Sequence, residues 1–282
     1  MRDDLEPQTL EQIRATLDSH GCAPKKSLGQ NFLIDRNLVG KLIDSAKVGE
    51  GDLVVEVGPG TGTLTGALLG RGCEVIACEL DDGLARAISE RFEGLDRFSL
   101  IHGDCLASKR KLSADLTDAI RGRPFSLVAN LPYQAATPLM LTLLADHPWC
   151  GVMAVTIQKE VADRLLAGPG SKLYGSISVV AQAASRVSRI TNLPNECFWP
   201  RPKVTSAMVL LERLNEPMTP SIGALAEFCQ KTFAGRRKQL AGLLKNLGCP
   251  PSAWPENIEP TDRIESLAPD RVVALADACG VL

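Results

Sequence analysis

Apolar positions recur at helical spacing through the first twenty residues, where Leu5, Leu10, Ile13 and Leu17 mark one face of an amphipathic helix. Asp35 is placed to cap a second helix carrying Leu38, Val39, Leu42 and Ile43. From residue 53 the pattern alternates between short apolar runs and helical stretches. Strands are predicted at 53–57, 74–78, 98–101, 125–129 and 152–157, with helices at 63–69, 82–92, 138–144 and 177–184. Such β-α-β-α alternation predicts an α/β fold with a parallel sheet covered on both faces.

The alternation then breaks. Residues 186–192 and 207–211 are two β-rich runs with no helix between them, joined by the proline-rich stretch 193–204. Consecutive strands at an edge suggest an antiparallel addition to the sheet. Beyond Pro217 and Pro220 the pattern is helical, at 224–233, 238–247 and 272–279. The expected organisation is a helical extension at 1–21, an α/β domain at 22–215 and a small helical domain at 216–282.

The 282 residues are 45% hydrophobic and 23% charged, an ordinary globular balance. No apolar run is long enough to span a bilayer, and the first residues are too acidic for a signal peptide, so a cytoplasmic protein is expected. Nine cysteines without a C-x-x-C pair, and three scattered histidines, argue against a metal site or a disulfide framework. Buried free thiols are expected instead. A net charge of −2 means that a nucleic-acid partner has to meet a local basic patch. Lys25, Lys26, Arg36, Lys41 and Lys47 form one candidate, and Arg236, Arg237 and Lys238 another. Each taken alone is more commonly a solvated face.

Candidate chemistry gathers at predicted strand ends. Glu56-Val57-Gly58-Pro59-Gly60-Thr61-Gly62 joins the first strand to its helix, and glycines there let the backbone turn sharply against a ligand. Glu79 ends the second strand, placed to accept from ribose hydroxyls. Asp104 follows the third strand, either to accept from an adenine amine or to cap a helix. Gly-x-Gly-x-Gly differs from the dinucleotide spacing, which disfavours an NAD dehydrogenase. Together these features resemble the class I S-adenosylmethionine-dependent methyltransferase fold, a Rossmann-like, mostly parallel seven-stranded sheet.

Asn130-Leu131-Pro132-Tyr133 follows the fourth strand. An exocyclic adenine amine is a poor nucleophile because its lone pair is delocalised. The Asn130 oxygen and a carbonyl such as that of Leu131 can accept from both amine protons and stabilise the charge that develops on nitrogen. Tyr133 offers a ring for base stacking. Phe198 heads the loop Phe198-Trp199-Pro200-Arg201-Pro202-Lys203-Val204, which presents aromatic and basic groups together. Either Phe198 stacks on a flipped base opposite Tyr133, or it or Trp199 belongs to the core.

Ser27-Leu28-Gly29-Gln30-Asn31-Phe32-Leu33, the glycine turn, Asn130–Tyr133, Phe198–Val204 and Phe233-x-x-Arg236-Arg237-Lys238 occur in this order. As a set, from about residue 22 to the C-terminus, they resemble the ribosomal RNA adenine dimethylase family, in particular its small-subunit branch. The resemblance implies S-adenosylmethionine as cofactor, held by Gln30, Asn31, Leu33, Gly58, Gly60, Glu79, Asp104 and Asn130. It implies that Asn130, Leu131 and Tyr133 hold the target adenine, with Phe198 stacking on it. Lys25, Lys26, Arg201, Lys203, Arg236, Arg237 and Lys238 are then expected to contact RNA. The implied partner is small-subunit rRNA in a 30S-type subunit or its precursor, the implied state a monomer, and the implied product N6,N6-dimethyladenosine at two adjacent positions of a 3′-terminal hairpin.

Two features depart from the family pattern. Gln134-Ala135-Ala136-Thr137 stands where Asn-Ile-x-Thr is usual, which predicts altered packing behind the site. Residues 221–282 balance seven basic against seven acidic side chains where relatives are basic, which predicts weaker RNA affinity. The large-subunit branch of the family, a DNA adenine methyltransferase and a non-catalytic assembly factor are the competing readings.

Overall fold

The computed structural model describes residues 5–282; the first four residues of the predicted N-terminal helix lie outside that range. In chain order the elements are α1 (Leu10–Ser19), β1 (Phe32–Leu33), α2 (Arg36–Ala46), β2 (Leu53–Val57), α3 (Thr63–Gly70), β3 (Glu74–Glu79), α4 (Asp82–Arg91) and β4 (Phe98–His102). A short hairpin, β5 (Leu106–Ser108) and β6 (Lys111–Leu112), precedes α5 (Ala114–Ile120) and β7 (Phe125–Asn130). Then come α6 (Tyr133–Asp146), β8 (Cys150–Gln158), α7 (Lys159–Leu166), α8 (Ser176–Ala184) and β9 (Ser185–Leu193). The chain ends with β10 (Phe198–Trp199), β11 (Ser206–Arg213), α9 (Ile222–Phe233), α10 (Leu240–Leu244) and α11 (Pro269–Ala278).

Thr9 and Gln12 form a capping box that starts α1 at Leu10, so the helix is shorter than the predicted 1–20. Asp35 caps α2 as expected, accepting from the N–H groups of Asn37 and Leu38. The seven-stranded sheet has the order β4-β3-β2-β7-β8-β11-β9, and the pairings of β2, β3, β4, β7 and β8 are parallel. β11 enters between β8 and β9, so the last strand in sequence is not the edge. Every residue of β2 is buried, as the middle of a sheet covered on both faces requires.

Contacts divide the chain into two compact units. One comprises residues 5–140, 149–159 and 189–210; the other comprises 141–148, 160–188 and 211–282. The helical unit therefore begins earlier than the expected residue 216, because α7 and α8 belong to it. α8 packs on α9 and α11, and the buried Tyr174 explains the attachment. Its hydroxyl donates to the Leu267 carbonyl at 2.8 Å and its ring meets Phe233 edge-on at 5.8 Å. In the same unit Cys249 and Cys279 are joined as a disulfide, correcting the expectation of free thiols throughout; the other seven cysteines are not disulfide-bonded. None of the described helices is long and apolar enough to cross a membrane, and the described residues contain no metal-binding cluster.

Candidate active site

The carboxyl ends of β2, β3, β4 and β7 open onto one cavity of ≈ 450 Å³ within the first unit. That volume falls in the range of small-molecule sites, and its position beyond the strand ends is where open α/β sheets bind ligands.

At the β2 end the backbone reverses through Gly58 and Gly60, both at positive φ (72° and 62°). Each glycine also makes room for a ring. A Cβ on Gly58 would stand 2.9 Å from Cγ of Pro132, and one on Gly60 2.8 Å from Cε1 of Phe32. Only hydrogen fits at either position, so the turn is set by its neighbours as well as by any ligand.

Three carboxylates follow along the wall. Glu79 is buried, and its two oxygens accept from the N–H groups of Gly60 (3.1 Å) and Asp81 (2.9 Å). Burial nevertheless raises its pKa. Asp104 lines the cavity while exposed, accepting from the Leu106 N–H at 2.9 Å; it turns the chain into β5 and caps no helix. The third is Glu56, which sequence reasoning quoted but gave no role. Burial pushes its carboxyl up to about 8, against the lowering effect of a 2.6 Å hydrogen bond from Thr65. An acid one residue from the end of an otherwise apolar strand was the available signal. Thr61 was also missed: its hydroxyl is buried, unpartnered and on the cavity wall.

Asn130 ends β7. Its side-chain nitrogen donates to the Asn31 carbonyl at 2.9 Å, which leaves the amide oxygen as the group available to a ligand. Leu131 and Tyr133 line the same cavity. Tyr133 is half-buried, with its hydroxyl 2.8 Å from that of Ser206, so the ring is fixed by a contact at its far end. The Pro132 carbonyl accepts from the N–H groups of Ala135 and Ala136, starting α6 immediately behind the motif. Of the departing segment, Gln134 and Ala135 lie on the cavity wall and Ala136 is buried. The change expected behind the site thus falls partly on its surface.

Gln30, Asn31, Phe32 and Leu33 close one side of the cavity. Gln30 accepts from the Lys25 N–H and donates to Asp81. β1 pairs with β10 in the register Phe32↔Trp199 and Leu33↔Phe198. Strand alternation sends these pairs to opposite faces. Leu33 and Phe198 enter the main core with Val39, Leu193 and Met208, whereas Phe32 and Trp199 meet Ile13 and Leu17 of α1 and Leu84. Phe198 is 2% exposed and absent from the cavity wall, so of the two alternatives the structure takes the core. Trp199 stacks on Phe32 (6.3 Å, 23°), and the Arg14 guanidinium lies 5.0 Å over Trp199.

The expected RNA contacts divide likewise. Lys25 pairs with the buried Asp81 at 2.7 Å, and Arg201 lies 3.9 Å from Glu196. Arg236 donates to the carbonyls of Lys172 and Tyr174 and pairs with Glu265, so its guanidinium is spent within the helical unit. Lys26, Lys203, Arg237 and Lys238 are exposed.

A glycine turn, acids on successive strand ends and an oriented amide at the fourth define a Rossmann-like methyltransferase. The ribosomal RNA adenine dimethylase pattern matches residues 22–279, and the chain belongs to that family. It is 40% identical to the ribosomal RNA small subunit methyltransferase A of Phenylobacterium zucineum, over 96% of this chain and 93% of that one. The protein of the same name from Streptomyces griseus is 39% identical, over 97% and 94%. Among solved structures the fold is similar to a dimethyladenosine transferase from Plasmodium falciparum, with a TM-score of 0.70, 23% identity, and 89% and 98% of the two chains covered. The 23S rRNA methyltransferase ErmE is similar with a TM-score of 0.66, 21% identity, and 89% and 100% covered.

Proposed function

We propose that the protein transfers methyl groups from S-adenosylmethionine to N6 of two adjacent adenosines in the 3′-terminal hairpin of small-subunit rRNA, giving N6,N6-dimethyladenosine. The observation that carries this reading is the orientation of Asn130. Its nitrogen is occupied by Asn31, so an oxygen acceptor faces a cavity that the Tyr133 ring also lines.

The lining fits the cofactor. Glu79 and Asp104 are acceptors for ribose hydroxyls and an adenine amine, with Leu80, Leu84 and Leu106 as apolar surface for the purine. Glu56, protonated near neutrality in the empty site, gives up its proton to become the carboxylate partner of the α-ammonium when the cation binds, and the orphan Thr61 hydroxyl is a donor for the carboxylate beside it. Three acids and no phosphate cradle suit a cationic ligand without pyrophosphate, which disfavours NAD.

Bound S-adenosylmethionine supplies an electrophilic methyl on a sulfonium. The chain's own residues position the nucleophile. Asn130 Oδ1 and the Leu131 carbonyl accept from the two amine protons, favouring a pyramidal nitrogen and stabilising the positive charge that grows on it. Tyr133 stacks on the base, and positioning supplies most of the remaining rate enhancement. The methylated amine is acidic enough to lose its extra proton without a dedicated base.

Arg237 and Lys238 serve as RNA contacts of the helical unit. The protein acts as a monomer in the cytoplasm, on the small subunit or its precursor. Incubation with unmethylated small subunits and radiolabelled cofactor, followed by mapping of the modified bases, tests the proposal. Label on two adjacent adenines near the 3′ end is expected; label on large-subunit RNA alone overturns it.

A further inference from the structure

The hairpin β5–β6 has no counterpart in the strand pattern read from the sequence, and it carries a run of three cations. Lys109 and Arg110 form its turn, and Lys111 pairs with Ser108 across it. All three are exposed. Leu106, Ala107, Ser108 and Lys109 line the cavity, so the hairpin is part of its rim. Two anchors hold it there. Asp104 accepts from the Leu106 N–H at its base, and Leu112 is buried at the end of its return strand.

The charge is out of keeping with its surroundings. The protein has a net charge of −2, and the described cavity wall holds Glu56, Glu79 and Asp104 with Lys109 as its cation. Asp115 and Asp118 on α5 are the other exposed acids close in sequence. Two of the cations expected to meet RNA are occupied elsewhere, Lys25 by Asp81 and Arg236 by Glu265 and two carbonyls. The ammonium groups of Lys109 and Lys111 form no ion pair among the described residues.

A nucleotide cannot place its base in a cavity without bringing its phosphates to the rim. We propose that the Lys109-Arg110-Lys111 tip binds the phosphates flanking the target adenosine, as a contact separate from the basic run of the helical unit. This rests on the RNA-methylating reading above. The contact is with backbone and is sequence-independent, so it adds affinity and register while Asn130 and Tyr133 handle the base. Each phosphate neutralised by a lysine releases counterions and steepens the dependence of affinity on salt.

The test is the charge-reversed variant Lys109→Glu/Lys111→Glu beside the wild type, with Lys109→Gln/Lys111→Gln as a milder pair. Binding to naked hairpin RNA and to unmethylated small subunits is measured across salt, with thermal melting as the control for folding. The reversed variant should lose about tenfold or more in RNA affinity at low salt, and the neutral pair should reduce the salt slope by about 2. The Tm should stay within about 2 °C, as for exposed positions. Unchanged RNA affinity and slope in variants that melt like the wild type overturn the proposal. Weakened binding to subunits with undiminished binding to naked RNA also overturns it, because the contact is then with ribosomal protein. Methyl transfer by the wild type is scored separately: its absence defeats the functional reading, whereas normal transfer with indifferent variants defeats only this contact.

Discussion

The side-chain nitrogen of Asn130 donates to the main-chain oxygen of Asn31 across 2.9 Å, tying the tip of β7 to the strip that closes the cavity. One hydrogen bond thereby couples cofactor enclosure to the direction in which the amide oxygen points. Asn130→Ala is expected to lower methyl transfer by about 10³-fold, the scale seen when one charge-stabilising group is removed from an active site. Cofactor affinity should stay within several-fold by calorimetry. Near-normal turnover means that this amide does not act on the amine.

Glu56 makes stability depend on pH. Its folded pKa of about 8 lies above the ordinary carboxylate value, because burial disfavours the charge. The folded state therefore holds this proton more tightly than the unfolded chain does. Its stabilising contribution is complete below about pH 4.5 and is lost as pH rises through about 8. Without cofactor, Glu56→Gln should flatten the fall in Tm across that window, leaving the variant on the order of 5 °C more stable than wild type near pH 8. The same variant should bind cofactor more weakly, having no carboxylate for the ammonium. Parallel Tm–pH curves for the two proteins contradict the assignment.

Trp199 backs the ring that abuts Gly60, and Arg14 of α1 backs Trp199. Removing the plate in Trp199→Ala should raise the cofactor Kd about tenfold, or roughly 1.4 kcal/mol. Arg14→Ala removes only the cation over the indole and should cost about 0.5–1 kcal/mol, a few-fold in Kd. Titration calorimetry distinguishes the two. Wild-type affinity in Trp199→Ala shows that the strip stands without its stack.

Neighbouring arginines should behave differently. Arg237→Ala with Lys238→Ala should reduce the salt slope of RNA binding by about 2 with little change in Tm. Arg236→Ala should instead lower the Tm, since it strands the carbonyls of Lys172 and Tyr174 and the carboxylate of Glu265. A Tm unchanged by Arg236→Ala returns that residue to the RNA-facing set.

Local pattern was enough for the strands of the parallel sheet, for α3, α4, α6 and α8 and for the glycine turn, but α5 and α7 left no such signal. Hydrophobic period and turn chemistry are properties of neighbouring residues, and β2, α3, β3 and α4 lie within a residue or so of where the pattern puts them. Strand ends also announced Glu79, Asp104 and Asn130, because a parallel sheet brings successive carboxyl ends to one crevice. Tertiary structure alone decided which way the amide of Asn130 faces, since its partner is 99 residues away. It also decided that Phe198 is core, through a two-residue pairing with Leu33 too short to leave a periodic signal. Burial, likewise a property of the assembled fold, is what turns Glu56 from an ordinary acid into one that holds its proton near neutrality.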